Sequence, residues 1–318
     1  MTALTAQDVR QAYKFFLNRE PESEAVISEK LKHYSSFDDL RSDFINSPEF
    51  QLLSSPSLQQ EVYRAFWSPA PKVEVDVGPD MLGELLDRVR KQWSKLGESE
   101  PYWSVLTEDK FRLANMTGSN LDEFYNSGAR DASAIKMFEE RTSFTVNKGT
   151  CLELGCGVGR VTRHLAKLFD TVIAVDIAPA NLKICAEHLE SEGISNVKTI
   201  LLTSPDELSK FGPIDFFYSI IVLQHNPPPV QKAMLQQIFS QLNPRGSCLF
   251  QTPHSLPGYR FVGVEALKEP ERIMDMHCLP KEAVLNVFRD HGLQLLDVAP
   301  DPWTGIPLAS YIYFASRQ

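Results

Sequence analysis

From Gly149 to the C-terminus, short apolar runs alternate with longer stretches whose apolar residues recur every three or four positions. The short runs predict buried strands and the longer stretches predict amphipathic helices. Strands are expected at 150–154, 171–176, 197–202, 214–222, 247–252, 293–299 and 308–315, and helices at 158–169, 178–191, 228–242 and 280–290. Strand-helix alternation of this kind gives a parallel sheet covered on both faces. The last two strands lack an intervening helix, and Pro300 to Pro307 connects them, so they are expected to form an antiparallel pair.

The first half of the chain has a different rhythm. Ala6 to Leu17 carries Val9, Ala12, Tyr13, Phe16 and Leu17 on one side, and Asn18-Arg19-Glu20-Pro21 breaks it. A second helix runs toward His33-Tyr34, and a third, Asp38 to Ile45, stops at Asn46-Ser47-Pro48. Ser68 to Pro79 reads as a linker with prolines at both ends, although Val73, Val75 and Val77 alternate as an edge strand would. Asp80 to Leu96 follows as an amphipathic helix with Leu82, Leu85, Leu86, Val89 and Trp93 on one face and Gly97 as its stop. Two aromatic-rich segments, 100–106 and 121–128, precede a helix from Ala132 to Phe144. The expected partition is a helical module at 1–68, a linker with a helical and aromatic cap at 69–128, and an α/β domain at 129–318.

The stretch from Cys151 to Arg160 carries the candidate chemistry. A strand ends there in Gly155, Gly157 and Gly159, and helical spacing begins immediately after. Glycine permits positive φ, and without a Cβ it lets backbone and helix N–H groups approach a ligand. Asp176 closes the next strand, roughly 20 residues on, where a ribose-binding acid sits in nucleotide-binding βαβ units. The spacing is G-x-G-x-G, whereas a dinucleotide pyrophosphate calls for G-x-G-x-x-G, which argues against NAD or FAD.

Leu152-Glu153-Leu154-Gly155-Cys156-Gly157-Val158-Gly159, followed by Asp176, resembles the first two motifs of the class I S-adenosylmethionine-dependent methyltransferases. The resemblance implies a Rossmann-like α/β fold, a seven-stranded doubly wound sheet with an antiparallel last strand, here preceded by a small all-α domain. It implies S-adenosylmethionine as cofactor, held by Glu153, Gly155, Cys156, Gly157, Gly159, Arg160, Asp176 and Ile177. Ser204, Pro205 and Asp206 are expected beside the adenine, and Ile220, Ile221 and Gln224 on the loop that meets the methionine portion and the methyl acceptor. Ser204 also reads as the cap of a short helix, and both roles are compatible.

In many members the segment upstream of the first strand folds over the pocket, which makes Trp103, Tyr125 and Arg130 candidate pocket residues; core packing is the alternative. His225 is the candidate general base for a hydroxyl acceptor, or else a histidine that orients its loop. His254 and His277 are lesser candidates. Asn226-Pro227-Pro228-Pro229 looks like the motif of amide-nitrogen methylation, but it lies too far from Asp215, and Pro229 cannot stack as an aromatic would. Asn226 is therefore expected to cap a helix with a proline-rich first turn.

Composition narrows the partners. The net charge of −9 and the lack of a Lys/Arg run disfavour nucleic acid. Five scattered cysteines, 151, 156, 185, 248 and 278, fit buried thiols, and no metal-ligand spacing is present, so no metal is expected. No apolar run approaches a spanning helix and the N-terminus lacks a secretory pattern, which makes membrane association unexpected and the cytoplasm the expected location. Asn18-Arg19-Glu20-Pro21 together with Phe44-Ile45-Asn46-Ser47-Pro48-Glu49-Phe50 resembles a small bacterial helical domain of unknown function that accompanies glycan-modifying enzymes. That resemblance implies a glycan or other small-molecule acceptor, methylated on oxygen, and a module able to dock a protein partner; a plain helical cap is the alternative. A protein methyltransferase, a non-catalytic cofactor-binding scaffold and a nicotinamide oxidoreductase stay open at this point.

Overall fold

The computed structural model describes residues 4–17, 19–54, 72–256, 258–270, 272–306 and 308–318. The start of the expected linker, 68–71, lies outside them, as does Asn18. Two compact units divide the chain, Met1–Ala70 and Pro71–Gln318.

In the first unit, helices Ala6–Leu17, Glu24–His33 and Phe37–Asn46 are joined by a fourth, Pro48–Ser54, that the sequence pattern did not suggest. Pro48 starts that helix, because proline's fixed φ suits a first turn whose N–H groups lack partners anyway. Ser23 and Ser36 cap the second and third helices by accepting from Val26 N and Asp39 N. Val9, Tyr13, Ile27, Leu40 and Phe44 form the buried centre. Across it, the Arg19 guanidinium grips Glu49 with two hydrogen bonds of 2.6 and 2.7 Å.

The second unit is built on a seven-stranded sheet of order β3-β2-β1-β4-β5-β7-β6. The strands are β1 (Thr150–Leu154), β2 (Thr171–Asp176), β3 (Val197–Leu201), β4 (Ile214–Ser219), β5 (Leu242–Pro253), β6 (Leu293–Asp301) and β7 (Ser310–Arg317). The first five are parallel, and β7 runs antiparallel between β5 and β6. Successive side chains leave opposite faces of a strand. Leu152, Leu154, Phe217 and Phe250 therefore enter one core while Cys151, Phe216, Tyr218 and Leu249 enter the other. Helices Pro79–Ser99, Pro228–Ser240 and Lys281–Asp290 cover the first face, and Gly118–Thr142 covers the second.

Several expected boundaries move. Only Thr162–Leu165 of the predicted 158–169 helix is regular, because the glycine corner spends residues 157–161 in turns. The fourth strand ends at Ser219 rather than 222, since Ile221 adopts a left-handed φ of 60° that no strand accommodates. Gly97 lies inside the helix ending at Ser99 and is no stop. A Cβ there would fall 2.8 Å from Asn181 Oδ1, so the glycine serves close packing instead. The aromatic segment at 121–128 belongs to the single helix Gly118–Thr142, which also absorbs the helix expected from Ala132. Of the Val73 to Val77 alternation, one parallel bridge from Val73 to Phe261 is made.

Candidate active site

Strand order reverses between β1 and β4, and ligands of open α/β sheets collect outside the carboxyl ends of the strands at that point. A cavity of about 510 Å³ lies there, between the ends of β1, β2 and β4 and the helix Pro79–Ser99. Its floor is the corner after β1. Gly155 N and Cys156 N both donate to Val175 O, at 2.7 and 3.1 Å, which folds the corner onto the neighbouring strand. Gly155 has φ 76°, and a Cβ on it would stand 2.3 Å from Val222 Cγ2. Gly157 has φ 55°, with Val105 Cγ2 at 2.8 Å from an added Cβ. The side of the glycines expected to admit a ligand is thus occupied by two valines, and the corner offers the cavity its backbone.

Asp176 ties the two loops together. Its Oδ2 accepts from Gly157 N and its Oδ1 from Ala178 N, each at 2.8 Å. Each carboxylate oxygen keeps a second lone pair, so the group can still accept a ligand hydroxyl. Burial raises its pKa while these backbone donors oppose the rise.

Glu153 Oε2, Asn181 Oδ1, Asn226 Oδ1, Arg160 Nε and the Tyr218 hydroxyl are sealed from solvent without a hydrogen-bond partner, on five residues that line the cavity. Buried polar atoms in native proteins are almost always paired. Glu153 is 3% exposed, and desolvation pushes its pKa up to about 7 against the lowering influence of the Thr162 hydroxyl and the Arg160 guanidinium. Arg160 commits its two terminal nitrogens to Asp131 and to Ser127 Oγ, while its Nε stays without a partner.

At the other wall, the backbone turns sharply after β4. Positive φ at a β-branched residue costs on the order of 1–3 kcal/mol and persists where surrounding structure holds it. Ile221 N donates to Gln251 Oε1 at 3.1 Å, which anchors that turn. The short helix Leu223–His225 follows, and the His225 ring, tilted against Trp93 at 5.0 Å, is pushed by burial to a pKa of about 4. The ring, well below the ordinary histidine value of 6.5, is neutral across the physiological range. His225 also borders a second cavity of about 360 Å³, lined by Arg88, Tyr259, Arg260, Glu265 and His277 among others.

Of the residues singled out from the sequence, Glu153, Gly155, Cys156, Gly157, Arg160, Asp176, Ile177, Ile220, Ile221, Gln224 and His225 converge on the first cavity. Gly159 does not line it; an added Cβ would meet Cys185 Sγ at 2.9 Å, so the third glycine serves packing between helices. Ser204, Pro205 and Asp206 do not line it either. Ser204 Oγ accepts from Asp206 N while Glu207 reaches back to Ser204 N, a capping box. Trp103 stands apart under the Arg112 guanidinium, and Arg130 is exposed on its helix. Tyr125 is buried, stacked on His188 with 3.5 Å between ring centroids, and its hydroxyl donates to Val158 O. His254 is locked behind the sheet by Leu279 O and the Tyr313 hydroxyl. His277 reaches the second cavity rather than the first. Asn226 is not the helix cap, which is Pro227; its amide turns back to donate to Val222 O.

Sequence reasoning missed Asn181, Tyr218, Met274 and Met276 on the cavity wall. Asn181 had a usable signal, a polar residue in the first turn of the helix after Asp176. The two methionines come from a loop without periodicity.

A family profile described as a methyltransferase domain matches residues 151–246. Over these residues the chain is similar to methyltransferase domains. With the observed strand order, the domain has the Rossmann-like fold of class I S-adenosylmethionine-dependent methyltransferases. Over 161 residues, 48% of the chain, it is 27% identical to the ubiquinone biosynthesis O-methyltransferase of Xanthomonas axonopodis pv. citri (strain 306), covering 66% of that protein. Over 165 residues, 52% of the chain, it is 24% identical to the tRNA/tmRNA (uracil-C(5))-methyltransferase of Shewanella sp. (strain W3-18-1), covering 44% of it. The chain thus spans less than two thirds of the length of either relative. Among solved structures, the Burkholderia thailandensis 1,6-didemethyltoxoflavin-N1-methyltransferase is similar in fold, with TM-score 0.51 and 16% identity over 78% of this chain and 94% of that one. The Synechocystis PCC 6803 magnesium protoporphyrin IX methyltransferase gives TM-score 0.50 and 16% identity over 73% of this chain and 100% of that one. The profile match on the methyltransferase domain does not reach the N-terminal helices, so the glycan-associated resemblance gains nothing from it.

Proposed function

We propose that the protein transfers a methyl group from S-adenosylmethionine to a hydroxyl of a small polar acceptor, a sugar or another metabolite. The observation that carries the donor half is the cavity at the point where strand order reverses, floored by the glycine corner and bordered by Asp176, whose carboxylate holds Gly157 N and Ala178 N. In this reading Glu153 pairs with the ammonium, Asp176 accepts ribose hydroxyls, and Ile177 and Val222 flank an apolar ring; all four residues line the cavity. When bound, the cofactor supplies an electrophilic methyl group on a sulfonium, and the protein's part is alignment.

The second cavity supports the acceptor half. It meets the first at Val89, His225 and Met276, and its wall is polar, with Arg260 paired to Glu265, the Tyr259 hydroxyl to His277, and Arg88 to two backbone carbonyls. Such lining suits a molecule with several hydroxyls. His225, on the shared wall, holds a neutral imidazole that takes the hydroxyl proton at Nε2 once the acceptor displaces the 3.3 Å contact from the Gln224 amide. A pKa of about 4 suffices for this, because an oxygen becomes strongly acidic as it gains a methyl group.

The reading is tested by incubating the protein with methyl-labelled S-adenosylmethionine and a fractionated extract. Label in small hydroxylated compounds, lost on His225→Ala with S-adenosylhomocysteine affinity kept, supports it. Label recovered in polypeptide or RNA overturns the acceptor assignment.

A further inference from the structure

We infer that Gln251 and Gln224 form a directional amide relay that fixes the His225 ring as its Nδ1–H tautomer, with the Nε2 lone pair held by the Gln224 amide; both are positioning residues. The inference deepens the reading of His225 as a base and takes its catalytic meaning from it.

The direction of the relay follows from two backbone groups that cannot exchange roles. Ile221 N–H can only donate, and it meets one end of the Gln251 side chain at 3.1 Å, so that end is Oε1. The other end is then the amide nitrogen, which donates to Gln224 at 3.0 Å and to Ser310 Oγ. Gln224 receives through Oε1 and must point its own amide nitrogen toward His225 Nε2, 3.3 Å away. That ring nitrogen accepts. At the far side of the ring, Asp275 O, a carbonyl able only to accept, lies 3.2 Å from His225 Nδ1. The proton is therefore on Nδ1. The branch at Ser310 agrees, since its hydroxyl receives from Gln251 and donates to Asp301 Oδ2 at 2.7 Å.

Gln251 and Ser310 are fully buried and Gln224 nearly so, where an amide turned the wrong way would face donor to donor. The sequence placed Gln251 at the end of a strand with no sign of a role. A side chain that both anchors the left-handed Ile221 and sets the neighbour of the base couples the shape of the donor cleft to the protonation pattern of the acceptor site.

The test reads the tautomer directly. Protein labelled with nitrogen-15 in histidine is examined by NMR near pH 7.5, with the His225 signals assigned by their loss in His225→Gln. Wild type is expected to carry the proton on Nδ1 alone. In Gln251→Glu an ionised carboxylate can only accept, and a neutral one has a single proton for two partners. Gln224 then turns its oxygen toward the ring, Nε2 gains proton occupancy, and kcat falls about tenfold or more with KM little changed. An Nε2–H tautomer in wild type overturns the inference even if the variant fails to fold, as does a folded Gln251→Glu protein with the wild-type pattern. If the tautomers behave as stated while turnover is unaffected, the relay stands and the base role of His225 falls.

Discussion

Replacing Glu153 by glutamine should make the protein more stable and its cofactor site worse. The carboxyl is buried, and desolvation moves its pKa from an ordinary 4.5 up to about 7. Each unit corresponds to about 1.4 kcal/mol, so holding this group ionised in the folded state costs on the order of 3 kcal/mol. Below pH 4.5 the group is protonated in both folded and unfolded chains and contributes nothing. Between pH 4.5 and 7 the folded chain binds the extra proton, so stability falls as pH rises, and above 7 the full cost is present. A neutral amide of the same shape removes the cost. Glu153→Gln should then exceed wild type by up to about 3 kcal/mol at pH 8, a rise on the order of 5–10 °C in Tm for a domain of this size. At pH 5 the two should nearly coincide. Thermal unfolding of both proteins from pH 5 to 8 measures the difference, in which titrations common to both cancel. Calorimetry with S-adenosylhomocysteine should show at least a tenfold weaker complex for the variant, because a partner that lost a charge cannot offset an ammonium. The reasoning is refuted if the variant is less stable than wild type at pH 8 with an unchanged pH slope.

Other outcomes follow from the same geometry. Asp176→Ala should weaken S-adenosylhomocysteine more than tenfold, since it removes a ribose acceptor and the anchor of Gly157 N; unchanged binding by calorimetry would remove that assignment. Gly155→Ala should abolish cofactor binding and lower Tm, because positive φ and a Cβ 2.3 Å from Val222 Cγ2 cannot both be accommodated; a Tm within a degree of wild type would contradict this. Ser204→Ala should cost about 1 kcal/mol through loss of its cap while leaving cofactor affinity within twofold, and a tenfold loss would restore an adenine role to Ser204. Stability should fall as pH drops below 6.5, because burial depresses His225, His254 and His277 and the folded chain binds fewer protons than the unfolded one; acid titrations monitored by circular dichroism would show whether it does.

What the sequence revealed of this site is what local chemistry dictates. The two faces of a covered parallel sheet require nearly continuous apolar runs, and Leu152, Val175 and Phe217 announce themselves that way. A corner that must reach positive φ three times in five residues announces itself as glycine. Contacts between distant segments leave no such trace. Trp103, Tyr125 and Arg130 sit upstream of the first strand in an order compatible with a lid, yet helical phase in Gly118–Thr142 turns Tyr125 into the core and Arg130 outward. Ser204 carries the cap its sequence suggested, closed by the Glu207 carboxylate, while its distance from the cavity wall is set by the fold and left no mark in the sequence.

Ile221 shows the same limit from the opposite side. Nothing about isoleucine suggests a left-handed turn, and its neighbours give no glycine or asparagine to prompt one. The conformation exists because Gln251, on the adjacent strand, captures its amide, so the cause lies 30 residues away. Sites of this kind are assembled from a legible half, where the backbone itself must bend and residue type is constrained, and a half set by register between strands. The β4–β5 register pairs Ser219 with Phe250, so Gln251 follows directly beyond the end of β4. A one-residue slip would point the glutamine to the opposite face of the sheet. The strained turn and the tautomer of His225 are therefore consequences of sheet registry, and a substitution that shifts β5 should disturb both without touching any residue of the cavity.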